Sequence, residues 1–379
     1  MNDKVILIKQ ENYNQAEIDF AVRRAVDSLG GMAKFVKPKN KVLLKVNLVA
    51  GHEVEKRVNT DPSVVKAAAK LVLECGGEPV IADSPGIGNF DRIAEACGIA
   101  QAARELNIKC VELKEPVKLE LKNNFNYSYK NIEAAKLAAS ADVIINLAKL
   151  KTHGQMQLTL GVKNIFGCIV GRAKAGWHYN VGLNRDKFAA LLIDLYKTIE
   201  PDLTIIDGVI GMHGDGPTSG EPYNYNLIGA AENALYLDFW LCKFMGLELE
   251  NFALWRAAKA KNLIECDLNN CELAGDFDKD FKFNGVKIPR DQSLRSLRLL
   301  PNLPFVERAM TSRPVHVPEL CIGCGRCEAV CAAGALKHDN KKLKFNYKKC
   351  IRCYCCHEMC PVHAIKFQDG FLLKLAKLI

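Results

Sequence analysis

Two stretches of the chain read Cys321-Ile-Gly-Cys324-Gly-Arg-Cys327-Glu-Ala-Val-Cys331 and Cys350-Ile-Arg-Cys353-Tyr-Cys-Cys356-His-Glu-Met-Cys360-Pro361. Both have the spacing C-x2-C-x2-C-x3-C, so that every cysteine of the first has an equivalent in the second. Each copy continues with alanine and an aliphatic residue, Ala335-Leu336 and Ala364-Ile365. The C-terminal part of the chain therefore contains an internal repeat that decides its fold.

This spacing is typical of thiolate ligands to cubane iron–sulfur clusters. Three cysteines wrap one face of a cube, and in a two-cluster arrangement the fourth cysteine of each copy ligates the other cube. Gly323 and Gly325 permit the close approach of backbone N–H groups to the sulfides. Structural zinc usually takes four ligands in two short pairs, which two complete quartets fit poorly. The sequence therefore predicts two 4Fe–4S clusters with these ligands: Cys321, Cys324, Cys327 and Cys360 for cluster 1, and Cys350, Cys353, Cys356 and Cys331 for cluster 2.

Residues 314–370 resemble the bacterial two-cluster ferredoxin family on these motifs, which implies a small α+β domain that transfers electrons. The chain departs from the family's pattern after Cys331, where Ala332 stands in place of the usual proline, whereas Pro361 keeps it in the second copy. Because proline shapes this turn and is not a ligand, we expect both clusters to form. We expect Cys355 to be a spare thiol, the alternatives being ligand exchange or a redox role.

Length and composition indicate a folded cytoplasmic protein with more than one domain. The chain has 379 residues, of which 49% are hydrophobic and 25% charged. Its N-terminal apolar run is too short for a signal peptide, and no apolar stretch reaches the roughly 18 residues of a membrane span. Sixteen cysteines are many for a cytosolic chain, where disulfides are rare and clustered cysteines bind metals.

The net charge of the C-terminal segment indicates which kind of surface it docks on. Residues 314–379 contain eleven Lys and Arg against five Asp and Glu, a net charge of +6 that the anionic clusters lower without reversing. A basic surface predicts an acidic docking surface, either on a redox partner protein or on the chain's own large domain. The aromatic residues are not interleaved with the charges, which argues against nucleic acid. The amphipathic tail 371–379 is expected to dock on the protein itself.

The large N-terminal region alternates strand-like and helix-like segments. Four apolar runs are predicted as strands: Lys41–Val49, Pro79–Asp83, Ala141–Leu147 and Asp202–Asp207. Helices are predicted from the Asp61-Pro62 start to Gly76-Gly77 and over Arg185–Ile199. This alternation predicts an α/β domain with a mainly parallel sheet and flanking helices. We predict a domain at 1–312 (core about 40–285, linker 286–312), the ferredoxin-like domain at 313–370 and the tail at 371–379.

Two predicted loops after strands contain the candidate site residues of the large domain, since sites in such sheets lie beyond the carboxyl ends of strands. The first runs from Lys149 to Gly154 and leads to 161–167, and the second covers 211–220. Basic groups there would suit a small anionic substrate, the alternatives being a solvated basic loop and an ordinary turn. No flavin or nicotinamide motif is convincing. The candidates are His153, Lys151 and Lys163 for catalysis, and Lys149, Asn164, His213, Gly214 and Gly216 for substrate binding.

The large domain is also similar to a prokaryotic family described as domain of unknown function 362, whose members are often fused to ferredoxin modules. The resemblance rests on Lys45-Val-Asn47, Thr60-Asp-Pro62, Asn146-Leu-Ala-Lys149-Leu-Lys151-Thr-His153, Leu160-Gly-Val-Lys163-Asn164-Ile-Phe-Gly167, Asp207-Gly-Val-Ile-Gly-Met-His-Gly214-Asp-Gly-Pro217 and Ala234-Leu-Tyr-Leu-Asp238. It implies an α/β fold fused to an iron–sulfur domain, but no agreed reaction. It also favours the segment around Lys151 and Lys163 as a site.

Three functions are consistent with these patterns. The first is an oxidoreductase, or the electron-input component of one, in which the clusters supply electrons to a substrate and His153 donates a proton. The second is a non-catalytic ferredoxin-like carrier with a docking domain. The third is a protein whose clusters are structural or sensory. The sequence alone leaves open whether the chain is an enzyme.

Overall fold

The computed structural model describes residues 3–49, 51, 54–86, 88–182, 184–264, 268–289, 312–339 and 342–370. The chain divides into an N-terminal unit, Met1–Lys174 with Arg185–Ile288, and a C-terminal unit, Ala175–Asn184 with Pro289–Ile379. Most of the predicted linker (290–311) and the predicted amphipathic tail (371–379) lie outside the described residues.

A sheet of nine strands forms the centre of the N-terminal unit. The order along the sheet is β11-β1-β10-β9-β7-β2-β3-β4, with the short β8 paired to β7, and β5 and β6 form a separate pair. The strands are β1 (Asp3–Lys9), β2 (Lys41–Lys45), β3 (Glu78–Asp83), β4 (Lys109–Glu112), β5 (Pro116–Lys118), β6 (Glu133–Ala135), β7 (Val143–His153), β8 (Gln157–Thr159), β9 (Leu203–His213), β10 (Glu221–Ala231) and β11 (Cys271–Gly275).

Four of the helices in the described residues begin at a residue whose side chain caps the helix. Asp61 caps the helix that starts at Pro62, and its carboxylate accepts the N–H of Ser63 at 2.9 Å. The predicted helix Arg185–Ile199 is confirmed with those bounds. The helices are α1 (Gln15–Asp27), α2 (Met32–Phe35), α3 (Pro62–Glu74), α4 (Phe90–Ala96), α5 (Ile99–Glu105), α6 (Lys136–Ser140), α7 (Gly161–Asn164), α8 (Ala173–Val181), α9 (Arg185–Ile199), α10 (Ala234–Phe244) and α11 (Ala253–Ala260). The four with side-chain caps are α1, α3, α4 and α10.

Strand directions confirm the predicted mainly parallel sheet. Neighbouring strands from β9 through β7, β2 and β3 to β4 run parallel, whereas β10 is antiparallel to both β9 and β1. The chain proceeds from β2 to β3 and β4 on one side and later places β7 and β9 on the other. The carboxyl ends of β2 and β7 therefore form a topological switch point, where α/β sheets usually bind ligands.

Two strands are longer than predicted, and one is shorter. The segment Lys149–His153, predicted as a loop, is the second half of β7, and Gly211–His213 is the end of β9. These predictions were wrong because β7 lies between β2 and β9 and is buried along its whole length, so that buried polar side chains occupy strand positions. The predicted strand Lys41–Val49 ends at Lys45.

The C-terminal unit shows the repeat as a structural duplication. Strand β12 (Arg313–His316) pairs with β15 (Ile365–Gln368), and β13 (Leu336–Asp339) pairs with β14 (Lys342–Phe345). One short helix contains the third cysteine of each copy: α12 (Arg326–Ala329) and α13 (Cys355–Glu358). Equivalent elements are separated along the chain by the same interval as the two motifs. None of the helices in the described ranges has the length and apolar character that crossing a bilayer requires.

Candidate iron–sulfur centre and a buried polar network

The cluster 2 site is a cavity in the C-terminal unit. All four predicted ligands line it: Cys331, Cys350, Cys353 and Cys356. Cys331 comes from the first motif and the other three from the second, so the fold brings together the crossed set that the spacing predicts. Burial raises the pKa of the Cys356 thiol well above its usual value, and four neighbouring thiols raise it further: Cys353, Cys350, Cys331 and Cys327.

The cluster 1 thiols show the same crossing from the other motif. Burial raises the pKa of Cys327 to about 11, and the nearby thiols of Cys360 and Cys324 also raise it. Cys360 is buried, whereas Cys324 is exposed and Cys321 is half-buried. The first-motif cysteines thus lie near the last cysteine of the second motif, and one corner of this site is open to solvent.

Backbone N–H groups donate to ligand sulfurs at equivalent positions of both copies. The Ala335 N–H donates to Cys331 Sγ at 3.2 Å, and the Ala364 N–H donates to Cys360 Sγ at 3.1 Å. The turn after the fourth cysteine closes in the same way in both, although only the second copy has proline there. Such bonds stabilise negative charge on thiolate sulfur, so the donor set fits a thiolate-bound cluster.

Cys355 lies beside the cluster 2 site. It lines the same cavity and is buried, and hydrogen bonding to Cys353 is the largest cause that raises its pKa well above the usual value. The same bond lowers the pKa of Cys353. The equivalent position in the first copy is Arg326, which is exposed. The ninth cysteine is therefore an addition of the second copy that contacts a predicted ligand.

A buried ion pair lies at the carboxyl ends of β2 and β3. Lys45 Nζ lies 2.8 Å from Asp83 Oδ1, and both side chains are almost completely buried. Asp83 also accepts the Leu48 N–H at 2.7 Å. A Cβ atom on Gly167 would lie 2.4 Å from Lys45 Nζ and 2.5 Å from Asp83 Oδ1. Only glycine fits at this point of the 161–167 segment, because the segment lies directly against the ion pair.

A second buried ion pair joins β7 and β9. Lys149 and Asp207 are register partners, and Lys149 Nζ lies 2.7 Å from Asp207 Oδ2 with both side chains fully buried. The Tyr13 hydroxyl donates to Asp207 Oδ1 at 2.8 Å and accepts from Lys149 Nζ at 2.8 Å. The Asp61 N–H donates to Asp207 Oδ2 at 2.9 Å. The charge of the predicted substrate-binding residue Lys149 is thus compensated within the protein.

A chain of carboxamide hydrogen bonds crosses the switch point from Lys151. Lys151 Nζ donates to Asn47 Oδ1 at 2.7 Å, and Asn47 Nδ2 donates to Asn164 Oδ1 at 2.9 Å. Asn164 Nδ2 donates to Asn146 Oδ1 at 2.8 Å, and Asn146 Nδ2 donates to the Gly161 carbonyl at 2.9 Å. Each amide accepts from one neighbour and donates to the next, which fixes all three orientations. The structure thereby connects the predicted residues Lys151 and Asn164, while Lys163 lies half-buried on α7.

His153 occupies the end of β7 and is fully buried. Its Nδ1 atom accepts the backbone N–H groups of Gln155 at 3.1 Å and Met156 at 3.2 Å. An imidazole nitrogen that accepts hydrogen bonds carries no proton, so the neutral ring holds its proton on Nε2. The β7–β8 turn therefore fixes both the orientation and the tautomer of this side chain.

The glycine-rich segment after β9 folds against the protein's own backbone. Thr152 Oγ1 donates to the Gly214 carbonyl at 2.9 Å, and the Gly154 N–H donates to the Gly216 carbonyl at 3.1 Å. A Cβ on Gly216 would lie 2.3 Å from the Thr152 carbonyl oxygen, so this glycine is required by internal packing. His213 Nδ1 accepts the Lys287 N–H at 3.2 Å, and its Nε2 lies 3.4 Å from Glu221.

Several members of the network were not among the predicted site residues. They are Tyr13, Lys45, Asn47, Asp83, Asn146 and Asp207. Four of them stand inside motifs on which the family resemblance rests: Lys45, Asn47, Asn146 and Asp207. The sequence signal that could have identified these four is a polar residue near the end of an apolar, strand-like run. Tyr13 gave none, because it lies just before α1 and reaches β9 from a position remote in sequence.

Residues 42–243 match the family described as a domain of unknown function (DUF362). The chain belongs to this family. Residues 311–368 match a family described as a 4Fe-4S dicluster domain, so the C-terminal unit is a ferredoxin-like iron–sulfur domain. Both resemblances drawn from the sequence, and the fusion of the two domains, are confirmed.

Known relatives match each part of this DUF362 protein. It is 38% identical over 248 residues to a thylakoid-associated protein of Synechocystis sp., an alignment covering 65% of this chain and 76% of that protein. It is 39% identical over 56 residues to pyruvate synthase subunit PorD of Methanocaldococcus jannaschii, covering 14% of this chain and 65% of the subunit. A lactate racemase apoprotein from Thermoanaerobacterium thermosaccharolyticum matches with 14% identity and a TM-score of 0.41, over 63% of this chain and 56% of that one.

Proposed function

We propose that the chain is an electron-transfer protein that binds two 4Fe–4S clusters through the crossed ligand sets given above. The observation that carries this proposal is that Cys331 of the first motif lines the same cavity as Cys350, Cys353 and Cys356 of the second. When bound, the clusters would supply low-potential one-electron chemistry. The protein's contribution is to hold the thiols and to donate backbone N–H groups to three of the sulfurs, those of Cys331, Cys350 and Cys360.

Anaerobic iron and sulfide analysis with EPR of the dithionite-reduced protein tests the cluster count. We expect about eight irons per chain and signals from two coupled reduced cubes. The double variant Cys350→Ala/Cys353→Ala should retain about four irons, because only the cluster 2 site loses ligands. Cys355→Ala is the matched control and should retain about eight. Four irons in the unmodified protein, or zinc, would contradict the proposal.

We further propose that the N-terminal unit is the substrate-binding part of a reductase, or of its electron-input component, and that its ligand is a small anion. Support comes from the switch-point position of Lys151 and Asn47, which the carboxamide chain links to α7. In this proposal Lys151 and Lys163 assist catalysis and His153 donates a proton from Nε2. Lys149, Asn164, His213, Gly214 and Gly216 form the surrounding binding site, Lys149 through its pairing with Asp207.

Thermal unfolding of the full chain with added phosphate, bicarbonate and small carboxylates tests this second proposal. A saturable rise in Tm with one of these anions is expected, since a ligand that binds only the folded state stabilises it. Lys163→Gln should weaken the effect, whereas Lys118→Gln, at an exposed position of β5, should leave it unchanged. A Tm that none of the anions raises would oppose substrate binding.

One observation favours a second function, a non-catalytic carrier in which the N-terminal unit only docks. The ammonium groups of Lys45 and Lys149 are each paired with a buried aspartate, which leaves less uncompensated positive charge for an anion than the sequence indicated. A carrier would show both clusters and reversible electron transfer without saturable anion binding. We propose a redox partner protein and a cytoplasmic location in either case, since the sulfur chemistry requires reduced cysteines.

A further inference from the structure

Arg352 occupies a backbone position that the first copy of the repeat gives to glycine. Its equivalent there is Gly323, and both have positive φ angles, 49° for Arg352 and 74° for Gly323. Left-handed backbone is strained for a residue with a Cβ atom and not for glycine. Glycine would therefore form this turn with less strain. The backbone conformation alone does not explain why position 352 is arginine.

The side chain of Arg352 is placed against the cluster 2 site. It lines the same cavity as the four predicted ligands, and only 7% of the residue is exposed. Its N–H donates to Cys350 Sγ at 3.4 Å. The backbone N–H of Arg352 and its side chain thus both lie next to predicted ligands of cluster 2. The equivalent position at cluster 1 has no side chain.

Burial and a nearby positive charge change the reduction potential of a cluster in opposite directions. Reduction adds one electron and one negative charge to the cavity, without forming or breaking a bond to the protein. A buried site disfavours that added charge, while a fixed positive charge in low dielectric favours it. Arginine stays protonated at all relevant pH values, so its effect does not titrate away.

We propose that Arg352 is a positioning residue for electron transfer: its largely buried side chain, in the cavity that the four predicted ligands line, raises the reduction potential of cluster 2. The inference rests on the proposed function, since it requires both clusters. It gives the two halves of the repeat different charge environments: glycine stands at the position beside cluster 1, and a largely buried arginine stands at the equivalent position beside cluster 2.

An EPR-monitored redox titration of the full chain, with dithionite as the one-electron donor, tests this. In Arg352→Gln, one of the two one-electron steps should move to lower potential by about 59 mV, a tenfold change in the reduction equilibrium, while the other stays. Arg352→Lys keeps the charge and should keep most of the potential. Lys349→Gln removes an exposed charge beside the same ligand and should shift it much less, because water screens that charge.

Arg352→Gly separates charge from backbone strain, because it restores the residue of the first copy and should fold at least as well. It should lower the same potential as Arg352→Gln. Unchanged potentials in both variants, with eight irons retained, would overturn the inference. Failure of the proposed function is a different result, since the unmodified protein would then lack one or both clusters.

Discussion

The buried ammonium groups of Lys45, Lys149 and Lys151 in the N-terminal unit lie within hydrogen-bond distance of carboxylate or amide oxygens from the same unit. In the C-terminal unit, the buried thiols instead gather around a cavity and raise one another's pKa values. The first arrangement is electrostatically compensated by the protein alone. The second brings together thiols that repel one another once they are ionised, a repulsion that bound metal would offset. The two units therefore differ in whether their buried polar groups are compensated within the protein.

Cluster removal should therefore have the largest effect of any change to this chain. One hydrophobic cluster of the C-terminal unit has four buried members among the described residues: Cys327, Leu336, Cys356 and Ile365. Two of the four are predicted ligands, and so small a hydrophobic cluster does not support a domain of this size without metal. We expect amide hydrogen exchange across residues 312–370 to lose its protection after anaerobic removal of iron, while β7 keeps its own. Equal protection with and without iron would remove the contrast between the units.

Breaking the Lys149–Asp207 pair should have the next largest effect. Asp207→Ala leaves a buried ammonium without its carboxylate, which typically costs about 3–5 kcal/mol in the free energy of unfolding. Urea denaturation measures this cost. The double variant Lys149→Met/Asp207→Leu should regain most of the stability, since an apolar pair of similar volume replaces both charges. The exposed pair Arg23–Glu74 is the control, and its removal should cost less than about 1 kcal/mol.

The same contrast explains what the sequence could predict. The predicted cluster ligands have a local, repeated spacing, so they could be proposed from the sequence without knowledge of the fold. The polar network joins residues from Tyr13 to Asp238, and only the strand order brings them together. Lys149 and His153 were placed in a loop because buried lysine and histidine in a strand contradict the apolar pattern of such strands. Their partners, which make burial tolerable, are remote in sequence. The helix Arg185–Ile199 and the strand after Gly77 were predicted because their signals are local.

Because Gly167 lies so close to the Lys45–Asp83 pair, a substitution there should lower the free energy of unfolding, but by less than the loss of Asp207. In Gly167→Ala the new methyl group would lie 2.4 Å from Lys45 Nζ, so either the Lys45–Asp83 pair or the backbone of the 161–167 segment must move. Overpacking of this kind costs about 1–3 kcal/mol, measurable as a lower urea midpoint at unchanged m-value. Gly176→Ala is the control, because its Cβ would meet nothing within 4 Å and its position is helical. A Gly167→Ala protein as stable as this control would show that the segment does not depend on the ion pair.

The smallest expected effect concerns a buried carboxyl that has no lysine among its hydrogen-bond donors in the described residues. Asp238 on α10 accepts the N–H groups of Gly161 at 2.8 Å and Val162 at 3.0 Å, and burial raises its pKa to about 7. Between pH 4 and 7 the folded protein would then hold a proton that the unfolded chain has released. This group's contribution to stability is therefore complete below about pH 4 and is lost as pH rises through about 7.

Asp238→Asn removes that titration and tests it. The slope that this carboxyl contributes is at most about 1.4 kcal/mol per pH unit, and the difference in unfolding free energy between the unmodified protein and Asp238→Asn should shrink as pH rises from 5.5 to 7. Urea denaturation at several pH values, followed by tryptophan fluorescence in a Trp177→Phe background so that only Trp240 and Trp255 of the N-terminal unit emit, measures this difference. A constant difference across this range would mean that the two N–H groups keep Asp238 ionised. The N-terminal unit would then compensate this charge too without any bound group.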